Sequence, residues 1–261
     1  MRRRIRQLTV FTTNTLLEAL RNKTIYSVLI AAALAMGAAS TLGALSLHQD
    51  ERVFNNLVFF AGMLFLVALA IYQGVTSLHR EIETKTIFTV LSKPVTRGAF
   101  LVGKYVASVA IIVVCAVLMF GFKAIVATLL GFDVTLVHLS VYFAGVLQLA
   151  IIVAVAFFFA SFSGPLLSAL FTFCIFLMGS LTPQIENASR QFSADGNPVY
   201  LLLDAALVIL PDLEKLNLSY ELTHQLTVPL SYHLNAVGYA ASVIFFLLLF
   251  AHLIFGRRDF A

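Results

Sequence analysis

An all-α, polytopic membrane protein is the fold class this sequence predicts, and three observations predict it. The chain is 60% hydrophobic and 11% charged, with a mean hydropathy of +0.95, against about 25% charged for a soluble domain. Apolar runs near the length of about 20 residues that a bilayer-crossing helix needs recur along it. Lys and Arg cluster at alternate ends of those runs, as expected of a chain that weaves through a membrane. These features leave no room for a separate water-soluble domain, and we read residues 1–261 as a single transmembrane domain.

Six runs predict six transmembrane helices. The first covers residues 25–47 and the second 53–78, separated by a short polar turn at 48–52. A charged segment, 79–98, precedes the third run at 99–122. The fourth, 136–160, ends in "FFFASFSGP", and the fifth follows at once over 166–181. The sixth covers 234–255. Cys115 and Cys174 both fall inside apolar runs and are expected to pack as small buried hydrophobes.

Charge gives the orientation. Arg2, Arg3, Arg4, Arg6, Arg21, Lys23, Arg80, Lys85, Lys93, Arg97, Lys104, Arg257 and Arg258 fall on one side, 13 of the 17 basic residues. The positive-inside rule makes that side cytoplasmic, so both termini and the 79–98 segment face the cytoplasm. Lys123 is expected to snorkel from the far end of the third span. The net charge of +4 is therefore topological and does not point to nucleic acid. "MRRR" resembles the start of a signal peptide, but the apolar run begins too late and is too long. Residues 5–22 predict an interfacial helix instead, with Ile5, Leu8, Phe11, Leu16 and Ala19 on one face and Arg6, Gln7, Asn14 and Glu18 opposite.

The longest non-spanning piece, 183–233, is external and acidic: Glu186, Asp195, Asp204, Asp212, Glu214 and Glu221 face only Arg190 and Lys215. Within it "PVYLLLDAALVIL" is too short to span. Pro198 and Pro211 bracket it as the start and stop of a packed or interfacial helix.

Gly98, Gly103 and Lys104 fit GxxxxGK, but the next position is Tyr105 where a phosphate loop has a hydroxyl for magnesium. The intervening "AFLV" runs into a spanning helix, and no strand pattern precedes it. Gly98 reads as a helix start and Gly103 as a small residue for close packing. The chain is predicted not to hydrolyse ATP, and no cofactor or metal is expected on it.

The wider window "LHREIETKTIFTVLSKPVTRGAFLVGKYVAS", 78–108, contains a short amphipathic helix over 86–92. Ile87, Val90 and Leu91 form an apolar ridge at i, i+3, i+4 spacing, flanked by Glu81, Glu83, Lys85 and Lys93, and Pro94 ends it. This window resembles the cytoplasmic loop between the second and third spans of ABC-2 type transporter permeases, roughly E-x-E-x-G-T, then L-S-x-P-[IVL]-[ST]-R, then G-K. Here it reads Glu81, Glu83, Thr86, Leu91, Ser92, Pro94, Thr96, Arg97, Gly103 and Lys104, with Lys85 in place of the usual glycine. The "SFSGPL" turn, the closing "FGRRDF" and the large external segment also suit the family, most nearly the small permeases of the nitrous-oxide-reductase maturation and gliding-motility type.

The resemblance implies a permease subunit of an ATP-driven exporter in the cytoplasmic (inner) membrane of a bacterium. It implies a cytosolic ABC ATPase as partner, holding ATP and Mg, and a second permease copy in a homodimer, or a related permease. Glu81, Glu83, Thr86, Ile87, Val90, Leu91, Ser92, Pro94 and Arg97 would then dock the ATPase. Phe171, Phe173 and Phe176 on the fifth span are candidates for a substrate path, and the external segment for a periplasmic partner.

Other chemistries fit less well. "SFSG", 161–164, nearly matches an intramembrane protease motif, with His252 as the candidate base. The external segment offers His224 and His233 but no Met or Cys for a soft copper site, and Glu221 with His224 at i, i+3 supplies only two ligands. The span centres carry no ionisable residue, which disfavours a proton- or sodium-driven carrier. A membrane scaffold or assembly factor without transport is the competing class, but it has no need of the 81–97 motif.

Overall fold

The computed structural model describes residues 23–43, 50–83 and 97–257. The interfacial helix expected over 5–22, segment 84–96 and the last four residues lie outside the described residues. Those described form helices and turns, with no strand among them.

Six helices form one bundle: α1 (Lys23–Gly43), α2 (Asp50–Glu83), α3 (Arg97–Leu129), α4 (Leu136–Ala160), α5 (Pro165–Ser180) and α9 (Leu230–Arg257). Their contacts fix the directions. Met36 meets Gly62 across an antiparallel α1–α2 hairpin. Asn55–His138, Gly74–Ala156 and His79–Ser163 set α2 parallel to α4 in constant register. Between α5 and α9 lie α6 (Thr182–Ala194), α7 (Val199–Ile209), a 3-10 turn at Glu214–Leu216 and α8 (Ser219–His224).

Four of these helices are long and apolar enough to cross a membrane, over Glu51–Arg80, Gly98–Leu129, Leu136–Ala160 and Leu230–Ile254. A fifth is added if α5 and α6, bent by 66° at Leu181, are one broken span. In α1 the apolar stretch is the shorter Ile25–Thr41. The sequence expectation of six spans is thus matched by four to five.

The hub is α4, which packs on α2, α3, α5 and α9. Its residues from Gln148 to Phe157 are buried on every side, as its all-round apolar sequence requires. α5 is built the opposite way. Its buried residues are Ser168, Thr172 and Gly179, while Leu166, Leu170, Phe173 and Leu177 point outward. Small residues inward and large apolar ones outward is how a helix packs when lipid surrounds it.

Proline and glycine set the ends. Pro165 opens α5, where its missing N–H costs nothing. α3 and α6 end on glycines in the left-handed region, Gly131 at φ 79° and Gly196 at φ 67°. After each, an N–H reaches back five residues, from Phe132 to Ala127 and from Asn197 to Phe192, both at 2.9 Å. α7 starts after Pro198, as the sequence predicts, and ends before Pro211. It pairs with α6, where the Ser189 hydroxyl donates to Asp204 at 2.6 Å. The chain then returns to the bundle, burying Leu213, Leu216, Leu218 and Leu222. Here Gly179 is required, because a Cβ would stand 2.6 Å from the Pro211 carbonyl oxygen.

Three expectations are corrected. Lys123 does not snorkel. It is 1% exposed, turned inward over the Tyr142 ring with Nζ 6.0 Å from the ring centroid. Cys115 is buried, but Cys174 lies on the outward face of α5 and is exposed. The charged segment is shorter than 79–98, because α2 continues through Glu83 and α3 begins at Arg97.

Candidate functional site

Four pieces of chain converge at one end of the bundle: the end of α2, the start of α3, the turn between α4 and α5, and the end of α9. His79, in the last two turns of α2, joins the first to the third. Its Nε2–H donates to the Ser163 carbonyl at 2.8 Å, and its Nδ1 stands 3.0 Å from the Val75 carbonyl. The Ser163 bond is buried and of the kind worth about 1 kcal/mol. His252 of α9 packs against Gly98 in the first turn of α3, its Cε1 3.1 Å from where a Cβ would be. The 84–96 segment leaves α2 and enters α3 at this point.

Glu81 and Glu83 therefore lie on the last turn of α2, and Arg97 opens α3. Thr86, Ile87, Val90, Leu91, Ser92 and Pro94 lie outside the described residues, as do the side chains of Glu81, Glu83 and Arg97. The structure brings the two ends of the motif to one corner of the bundle and leaves its middle undescribed.

The GxxxxGK stretch is helical throughout. Gly98, Gly103 and Lys104 sit on α3, with no loop whose N–H groups could curl around a phosphate. Lys104 is buried. Tyr105 donates its hydroxyl to the Ala150 carbonyl at 3.1 Å and packs edge-on to Phe157. The position that breaks the nucleotide motif is thus a pin between α3 and α4.

The protease reading fails on geometry. The Ser163 hydroxyl points to the Gly164 carbonyl at 3.4 Å, and the histidine at that turn is His79, which holds the backbone carbonyl. His252 belongs to the Gly98 contact. His224 packs its ring on Tyr220 at 4.4 Å, and no metal-holding group of three His, Cys, Asp or Glu occurs among the described residues.

Phe171 stacks on Phe159 of α4 at 5.2 Å, while Phe173 and Phe176 pair at 6.4 Å along α5. The three do not share one face. Away from this end, α6, α7 and the 3-10 turn border an open cleft of about 370 Å³ lined by Glu186, Arg190, Asp204, Asp212 and Lys215.

Sequence reasoning missed His79 and the Gly98–His252 contact. His79 was legible only as the first polar residue after an apolar run, and its partner lies 84 positions away.

A many-helix bundle with several helices long and apolar enough to cross a membrane defines a polytopic membrane component. The chain belongs to the ABC-2 family of transporter proteins, whose family model matches residues 1–196. No curated protein matches it. Members of this family are membrane components of ABC transporters and not themselves ATPases, so the chain is a multi-pass permease subunit, and the family implies an ABC ATPase as partner.

Proposed function

We propose that this chain is one half of an exporter's membrane conduit, driven by a separate cytosolic ATPase that presses on the 81–97 segment. The observation carrying the proposal is the convergence at one corner of the end of α2, the start of α3, the α4–α5 turn and the end of α9. A push on a loop rooted there moves α2 and α3 directly. It also reaches α5 through the His79–Ser163 bond and α9 through the Gly98–His252 contact, as a rigid-body shift of packed helices.

In this reading there are six spans. α1 contributes one, since its 21 residues extend about 31 Å at 1.5 Å per residue, matching a hydrocarbon core of about 30 Å. α5, with 16 residues, spans with its bent continuation lodged at the external interface. Both termini are cytoplasmic, supported by the distribution of Lys and Arg. The membrane is the inner membrane of a bacterium. The permease acts as a homodimer or beside a related permease, which suits the outward apolar faces of α1, α5 and α9. The motif resemblance supports export. The outward Phe173 and its partly buried neighbour Phe176 suit an apolar substrate, and the charged cleft near α6 and α7 suits a periplasmic protein.

Leu91→Glu puts a charge on the docking ridge, and Glu83→Gln removes a flanking one. Both variants are expected to insert and fold as the parent, yet to lose the ATPase on purification and to lose transport. Normal recovery of the complex with normal transport in both removes the coupling assignment.

A further inference from the structure

The far end of the bundle buries an amine that faces the Tyr142 ring and has no hydrogen-bond acceptor. Lys123 lies near the end of α3 and is 1% exposed, and its Nζ has no hydrogen-bond partner. No Asp or Glu whose side chain is described is buried. Glu51 accepts from Gln225, and Asp133 is exposed. An ammonium held this way costs several kcal/mol unless something compensates it.

The neighbouring polar groups are donors or already engaged. The Thr135 backbone N–H donates to His138 Nδ1 at 3.1 Å, so the ring hydrogen is on Nε2 and is given to Asn55 Oδ1 at 3.1 Å. One turn along α4, the Tyr142 hydroxyl is buried and also without a partner. Its ring is held edge-on by Phe59 at 5.6 Å and Phe120 at 5.0 Å, which fixes where the hydroxyl points.

We infer that Lys123 and Tyr142, walled by the His138–Asn55 pair, form an internal site for one small monovalent anion of chloride size between α2, α3 and α4. Two buried donors without acceptors, one of them cationic, are what such an ion satisfies, through charge-assisted hydrogen bonds. The near-complete burial of Lys123 and Tyr142 keeps water from the site, which disfavours a divalent anion that one cation cannot neutralise. Bound there, the ion ties α3 to the α2–α4 pair at the end opposite His79. The site is independent of the coupling reading, because it is tested on the permease alone.

The test is thermal unfolding of the purified full-length chain in detergent at fixed pH and ionic strength, exchanging gluconate for chloride or bromide. The expected result is a saturable rise in Tm with either halide and none with sulfate. Lys123→Met should unfold independently of the anion, and Tyr142→Phe should bind chloride about tenfold more weakly, the loss of one hydrogen bond to a charge. Chloride NMR line broadening on the parent protein gives a reading that needs no variant. A parent Tm indifferent to halide, a response equal in Lys123→Met, or no line broadening overturns the site. A Tm flat in chloride that rises with pH means a neutral amine held dry, and overturns it equally.

Discussion

Tyr105 shows how one side chain decides between two readings of the same GxxxxGK stretch. Its hydroxyl is spent on the Ala150 carbonyl, and such interhelical bonds inside a membrane protein are worth about 0.6 kcal/mol on average and at most about 1.7. Tyr105→Phe is therefore expected to lower stability by about that amount in detergent unfolding while leaving the fold intact; an unchanged midpoint would mean the bond is absent. Gly74 is the more severe position. A Cβ there would stand 2.5 Å from the Ala156 Cβ, closer than two carbons approach, so Gly74→Ala should cost about 1–3 kcal/mol by overpacking. Adding Ala156→Gly removes the opposing methyl and should restore most of the loss, a coupling that a double-mutant cycle measures directly. Additive effects would show that α2 and α4 do not cross there.

At the scale of elements, the His79–Ser163 bond is the feature with a consequence for motion. It fastens the end of α2 to the turn that starts α5, so His79→Leu should free that turn. The expected sign is faster amide exchange at residues 161–168 with little change near Thr135 and His138, since local opening follows lost local bonds. Uniform acceleration would mean that His79 supports the whole bundle instead. The helices themselves were legible in the sequence, because long apolar runs and the prolines at 165, 198 and 211 act locally. α4 begins and ends where its run does, at Leu136 and Ala160. What could not be read was which side chains turn inward. Lys123 sits at a span end where snorkelling is the usual outcome, and only its packing against α4 turns it inward. Cys174 lies in an apolar run like Cys115, but α5 presents its small residues to the bundle and its larger ones outward. The candidate site was legible as a motif, since 81–104 carries the family pattern, but not as a place. The contacts of His79 and Gly98 join residues far apart in sequence, which no local pattern encodes.

For the whole molecule, the account makes the bundle a passive conduit with the energy source outside it. The described chain has no phosphate loop and no catalytic serine–histidine pair, and it belongs to a family of transporter membrane components. Its outward faces are apolar on α3 and α9, where Val113, Val117, Phe245, Phe246 and Phe250 are exposed, an arrangement that only lipid or another permease can cover. The central claim is that a separate ATPase docks on the loop between α2 and α3. The most direct measurement is gentle-detergent purification of the tagged chain from its native cells, with ATPase activity assayed on the product. The account predicts a stoichiometric cytosolic ATPase whose activity co-elutes with the permease and is lost from the Glu83→Gln and Leu91→Glu preparations. A permease recovered without ATPase, alone or with external partners only, would contradict it and leave a membrane scaffold as the better description.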